Sequence, residues 1–174
     1  MALLRIRTYP DPVLKEVCAP VQTIDDRIRR LLQDMAETMY AANGVGLAAP
    51  QVGERFRIIV VDAHREDRGS HLLKLVNPVI KERSGRVPSS EGCLSLPDLT
   101  VELERDEKVV VEALLPDGSP ARIEADGLLS IALQHEIDHL DGVLLVDRLS
   151  SLRRNLYLKR RIKEKEEEAS PAAV

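Results

Sequence analysis

Gln134-His135-Glu136-Ile137-Asp138-His139 is the stretch from which the rest of the chain can be read. On a helix, His-Glu-x-x-His brings two imidazoles to one face, about 6 Å apart along the axis, and leaves the intervening glutamate beside them with a carboxylate free to reach a metal's water ligand. The pattern supplies two ligands of a hydrolytic metal site. Zinc and iron sites of this kind take three protein ligands and keep one position open, so another Cys, His, Asp or Glu must come from elsewhere in the chain.

The helix that carries the motif is expected to start near Asp126 and to end at Asp141-Gly142. Before it, Leu115-Pro116-Asp117-Gly118-Ser119 is a turn leading into 121–125, and one or two β-prone runs occupy 101–115, which together suggest a hairpin. Further toward the N-terminus, a strand over 57–62 follows a turn around Gly53, and another over 72–76 is expected to stop at the Asn77-Pro78 break. Thr23-Ile24-Asp25-Asp26 reads as a capped helix start, after which Ile28, Leu31, Leu32, Met35 and Met39 recur at helical spacing until Ala41 to Asn43. A last helix spans about 150–168; the chain beyond Glu164 looks disordered, and 169–174 reads as a loose tail. The expected architecture is α+β: antiparallel strands wrapped around a central metal-bearing helix, with an N-terminal and a C-terminal helix, in one catalytic domain over 1–168.

Composition narrows the class. Hydrophobic residues make up 44% and charged residues 31% of 174 residues, which fits a folded globular chain. The net charge of −4 gives no global attraction to DNA or to an anionic membrane. No apolar run approaches the roughly 20 residues that span a bilayer, and the first residues lack the apolar segment of a signal peptide, so a cytoplasmic location is expected. The two cysteines, Cys18 and Cys93, are too few for a disulfide framework; Cys18 reads as packing. His64 and His71 sit in a polar connection and read as solvated. Asp138 and Asp141 could steady the histidine rings or the helix end, Asp141 equally well facing solvent.

Two further segments make the reading specific. Glu91-Gly92-Cys93-Leu94-Ser95-Leu96-Pro97, in an irregular or edge-strand setting, offers Cys93 as the third ligand beside His135 and His139. Gly44-Val45-Gly46-Leu47-Ala48-Ala49-Pro50-Gln51 joins a helix end to a strand with glycines that allow close backbone approach and a glutamine amide able to donate. In this order, the three segments resemble peptide deformylase, over nearly the whole chain.

That resemblance implies removal of the formyl group from N-terminal formylmethionine of nascent polypeptides, with formate as product. It implies that Glu136 moves the proton of a water whose pKa the metal lowers to about 7, and that Gln51 and the backbone N–H of Leu94 stabilise the developing oxyanion. It implies that Gly46 pairs with the extended substrate and that Val45, Leu94, Ile131 and Ala132 surround the methionine side chain. It favours ferrous iron as the single divalent metal, lost on oxidation, with zinc, nickel or cobalt in purified protein; thiolate and imidazole ligands by themselves suit both zinc and iron. Where many relatives carry arginine three residues after Pro97, this chain has Thr100, a departure that bears on anchoring of the Cys93 loop and on substrate backbone contacts; Arg105 matches a commonly basic position.

The last helix holds Arg153, Arg154, Lys159, Arg160, Arg161, Lys163 and Lys165. Two readings stand: a solvated face with Lys–Glu pairs, or a surface that docks on the ribosome near the nascent chain. Two other function classes are weighed. A metallopeptidase shares His-Glu-x-x-His but has no need of the Cys93 and Gln51 segments, and a non-catalytic ribosome-associated protein has no need of Glu136.

Overall fold

Two antiparallel sheets and three α-helices make up the described part of the chain, residues 2–170 of a computed structural model. The strands are β1 (Gly46–Ala48), β2 (Ile58–Val61), β3 (Leu73–Ser84), β4 (Val87–Cys93), β5 (Leu96–Arg105), β6 (Lys108–Leu114) and β7 (Pro120–Asp126). The helices are α1 (Asp26–Ala41), α2 (Gly127–Leu140) and α3 (Ser151–Ala169). One sheet has the order β1-β2-β3-β6-β7, and β4-β5 stands apart as a two-stranded hairpin.

Strand β2 explains how the layers meet. Ile58-Ile59-Val60-Val61 is fully buried along its length, and successive side chains of a strand point to opposite faces. Ile58 and Val60 join Leu32, Met35 and Met39 of α1 in one core cluster, whereas Ile59 and Val61 join Leu133, Ile137 and Leu140 of α2 in another. The two helices therefore cover opposite faces of the same sheet, which is why this strand is a continuous apolar run instead of an alternating one. Each fully buried large aliphatic side chain in these clusters contributes about 1.5–3 kcal/mol, and a third cluster packs Leu96 and Val101 of β5 against Leu144, Leu145, Val146 and Tyr157. Opposite the sheet, α2 meets the β4-β5 hairpin, and this places the central helix between the two sheets as the α+β reading expects.

Local chemistry sets the helix ends. The Asp25 side chain accepts from the Ile28 N–H at 3.0 Å and caps α1, and the helix ends at Ala41 with Asn43 in the left-handed region at φ 56°. Strand β7 runs straight into α2, with Asp126 at the N-cap and Gly127 at φ 55° making the turn. The Ser150 side chain caps α3. The hairpin around 115–119 is present as the β6-β7 connection.

Two expectations are corrected, and one strand without a clear sequence signal is added. The Asn77-Pro78 pair does not end a strand: β3 continues to Ser84 through a register shift between Val76 and Val79. The Asn77 side chain accepts from the Val21 N–H at 2.8 Å and donates to the Val21 carbonyl at 2.9 Å, which pins the irregularity and supplies the hydrogen bonds that the ladder loses there. Strand β4 had no clear signal, because its sequence of Pro, Ser and Gly is poor in β-formers. The chain beyond Glu164 is not disordered up to Ser170, since α3 runs to Ala169. Buried Arg161 donates to the Tyr9 carbonyl and to Thr8 Oγ1, and Lys165 donates to the Thr8 carbonyl at 2.7 Å. These contacts hold the helix against the N-terminal segment, while 171–174 of the expected tail lie outside the described residues. Among the described residues, no helix is long and apolar enough to cross a membrane.

Candidate metal centre

His135 and His139 project from α2 to one side, with Nε2 of the first 3.3 Å from Nε2 of the second. Cys93, the last residue of β4, brings its Sγ to 3.4 Å from His139 Nε2. Three lone-pair-bearing atoms thus face one another, and these residues are the one group of three potential ligands among the described residues. Soft sulfur with two imidazole nitrogens is a donor set for zinc or ferrous iron. Burial works against charge on His135, yet hydrogen bonds to Cys93 and Glu91 outweigh it and hold the ring's pKa well above its ordinary value; His139 is held well below by burial and by the charge of His135.

A polar framework aims the first histidine. Glu91 Oε1 lies 2.9 Å from His135 Nδ1, so Nε2 is the ring nitrogen turned toward His139 Nε2. Arg105, only 5% exposed, grips Glu91 with two hydrogen bonds of 2.9 Å and Asp138 with one of 2.7 Å. Burial raises the Glu91 pKa, but the bonds from His135 and Arg105 win and bring it down to about 2, so it is a carboxylate at any working pH. Nearby on α2, Gln134 accepts from the Asp106 N–H at 3.0 Å and donates to its carbonyl at 2.9 Å, tying the helix to the end of the hairpin. The sequence motif by itself assigns Glu91 no role. The signal was there: residues i and i+2 of a strand share a face, so a carboxylate two before a ligand cysteine points the same way. Asp138 serves Arg105 and not a ring, and Asp141 pairs with Arg57 while half exposed.

Glu136 lines the same cavity wall as Cys93 and His135 and is 5% exposed, with Oε2 lacking any hydrogen-bond partner among the described residues. Burial pushes its pKa up to about 7. Among the described residues, His139 Nδ1 is the other buried side-chain nitrogen or oxygen without a partner. Gln51 comes from a 3-10 turn, Ala49–Val52, just after β1. Its Oε1 accepts from the Ala48 N–H at 2.9 Å, so its amide nitrogen faces inward, 3.5 Å from Cys93 Sγ and 3.1 Å from Ser95 Oγ.

A cavity of about 910 Å³ opens over this group. Of the ten site residues read from the sequence, nine line it: Val45, Gly46, Gln51, Cys93, Leu94, Ile131, Ala132, His135 and Glu136; His139 lies behind them. Thr100 is also on the wall. Among the described residues, strand β1 pairs only with β2 and β4 only with β5, and both strands contribute residues to the cavity wall. A side chain at Gly46 would displace Glu136: a Cβ there would lie 2.5 Å from Glu136 Oε1 and 2.8 Å from its Cγ. Away from the site, Cys18 is buried in the core and His64 and His71 are exposed, as read.

Residues 3–155 match the family model described as polypeptide deformylase. A peptide deformylase of Thermodesulfovibrio yellowstonii is 50% identical over 160 residues, covering 92% of this chain and 97% of that protein. The crystal structure of a peptide deformylase from Legionella pneumophila superposes with a TM-score of 0.88 at 41% identity, covering 98% of this chain and 100% of that one. A peptide deformylase of Ehrlichia chaffeensis in complex with actinonin gives 0.87 at 38% identity, with coverage of 98% and 100%.

Proposed function

This chain belongs to the polypeptide deformylase family, and from that premise we infer that Cys93, His135 and His139 hold the divalent metal with which it removes the formyl group of N-terminal formylmethionine, releasing formate. The observation that carries the residue assignment is the convergence of one thiol sulfur and two imidazole Nε2 atoms on the floor of a cavity beside a buried carboxylate of raised pKa. When bound, such a metal supplies Lewis-acid polarisation of the formyl carbonyl and lowers the pKa of water to about 7.

The chain's own groups do the rest. Glu136, with a pKa of about 7 and an unpartnered Oε2, takes a proton from the attacking water and returns it to the leaving amine nitrogen. Gln51, its oxygen occupied by Ala48, presents its Nε2 protons to the formyl oxygen as negative charge develops there, together with the backbone N–H of Leu94. The unpaired edge of β1 at Gly46 receives the peptide as an added strand. Val45, Leu94, Ile131 and Ala132 enclose the methionine thioether, which suits an apolar, adaptable wall. We read residues 1–168 as one catalytic domain.

Ferrous iron is our assignment over zinc, on family resemblance, since the donor set accepts both. The assay is formate release from formyl-Met-Ala-Ser by anaerobically purified protein with metal analysis, against the acetylated peptide and casein. Formate from the formyl peptide alone, with one metal per chain, is the expected result; casein cleavage would favour a metallopeptidase. Loss of activity in air, restored by nickel or cobalt, supports iron, and an air-indifferent, fully active zinc form contradicts it.

We place the enzyme in the cytoplasm with nascent chains as its substrates and α3 as its ribosome contact. Exposed Leu152 and Leu156 beside Arg153 and Lys159 support that contact. The basic cluster is smaller than it reads in sequence, because Arg160, Arg161 and Lys165 bond within the chain.

A further inference from the structure

We propose that Arg65 gives this enzyme a preference for acidic side chains in the residues that follow formylmethionine; the inference rests on the deformylase reading and adds a subsite to it. Arg65 is the one lysine or arginine among the described residues lining the active-site cavity. The other charged groups there are committed, apart from Asp98 of β5: Glu91 to Arg105 and His135, Glu136 and His135 to the reacting end. Arg65 has no ion pair or hydrogen bond with any described residue, Asp98 included.

Its position is built. The connection between β2 and β3 is anchored by Asp62, 3% exposed, which accepts from the His64 N–H at 3.1 Å, from the Gly69 N–H at 2.8 Å and from the Tyr40 hydroxyl at 2.6 Å. The rings of His64 and His71 stack at 3.9 Å, and the Arg68 guanidinium lies over Tyr40 at 5.8 Å. Arg65 follows the anchored His64 directly. An exposed planar guanidinium on the cavity wall, carried by an anchored loop and without a partner among the described residues, is a receptor for a carboxylate, and one cation at a cleft mouth raises the local concentration of anionic peptide. Two carboxylates could answer it: a Glu or Asp side chain, or the C-terminus of a short peptide. A nascent chain offers only the first.

The test uses formyl-Met-Ala-Ala-Ala amide and versions with a single Glu, Gln or Lys at the second, third or fourth residue; amidation removes the terminal carboxylate. At one position, Glu should exceed Gln in kcat/KM by roughly two- to five-fold, the span of an exposed ion pair, with the difference in KM. High salt should flatten it. The Glu/Gln ratio should fall to parity in Arg65→Gln, persist in Arg65→Lys, and turn in favour of Lys peptides in Arg65→Glu. Parity in the unmodified enzyme at all positions, or an unchanged ratio in Arg65→Gln, overturns the proposal. Failure to deformylate the neutral peptide would instead strike the deformylase reading itself.

Discussion

Helices α1 and α2 lie on opposite faces of the same strand, yet they are held by different physics. The buried face of α1 is apolar apart from Thr38, whose hydroxyl donates to the Asp34 carbonyl one turn back and accepts from the Leu4 N–H. The buried face of α2 includes Ser130, Gln134, Glu136 and His139, each at most 5% exposed. An apolar face needs only a complementary surface. A polar one needs a partner for each buried atom, because an unpaired group costs about 1–3 kcal/mol and an unpaired charge more. So α1 can be understood from its own stripe, whereas α2 depends on Glu91, Arg105 and Asp106 from the hairpin and on a metal.

That contrast can be broken from the α2 side first. Replacing Glu136 with Gln keeps Cys93, His135 and His139, so metal stays bound while the turnover number falls by roughly 10²–10⁴-fold. Metal analysis beside steady-state kinetics checks this; lost metal would make Glu136 a ligand, and near-normal turnover would remove it from the chemistry. Replacing Glu91 with Ala leaves Arg105 charged and buried with Asp138 alone, at a cost of about 3–5 kcal/mol in denaturant unfolding. Metal affinity should drop by roughly 10–100-fold in the same variant, because His135 loses the group that orients it. A destabilised protein with undiminished affinity would separate the framework from the ligand.

On the α1 side the effects should be confined to stability. Leu32→Ala opens a cavity in the cluster shared with β2 and should lower unfolding free energy by about 2–5 kcal/mol, with metal content and KM as in the parent. Asp25→Ala removes only the cap, at about 1 kcal/mol in the same measurement. Should either variant lose metal, the two faces of β2 are coupled and the contrast between the helices fails.

The same contrast explains what could be read before folding. Apolar burial leaves a periodic trace, so α1, the doubly buried β2 and the ends of α2 were visible as spacing, caps and turns. The candidate ligand group could be picked out because Cys93, His135 and His139 belong to few residue types and short motifs. Polar frameworks leave no period. Arg105 meets Glu91 and Asp138 across 14 and 33 residues, and no local rule joins them. Asn77 is the same case: Asn-Pro announces a break, while a contact to Val21 from 56 residues away turns it into a bulge within a continuous strand. Arg161 shows it again at the end of the chain, where a charge that reads as solvated is buried against Thr8 and Tyr9.

Gly46 carries one more consequence. In the binding mode proposed here, the peptide lies along the β1 edge, and at this position only a hydrogen atom separates that edge from the carboxylate of Glu136. The edge then works as a ruler whose zero mark is the glutamate. A methyl group at position 46 would leave the graduations in place, since β1 would still pair with β2 and still offer its backbone, but it would move the zero. Peptides would be measured correctly against one another and wrongly against the proton carrier.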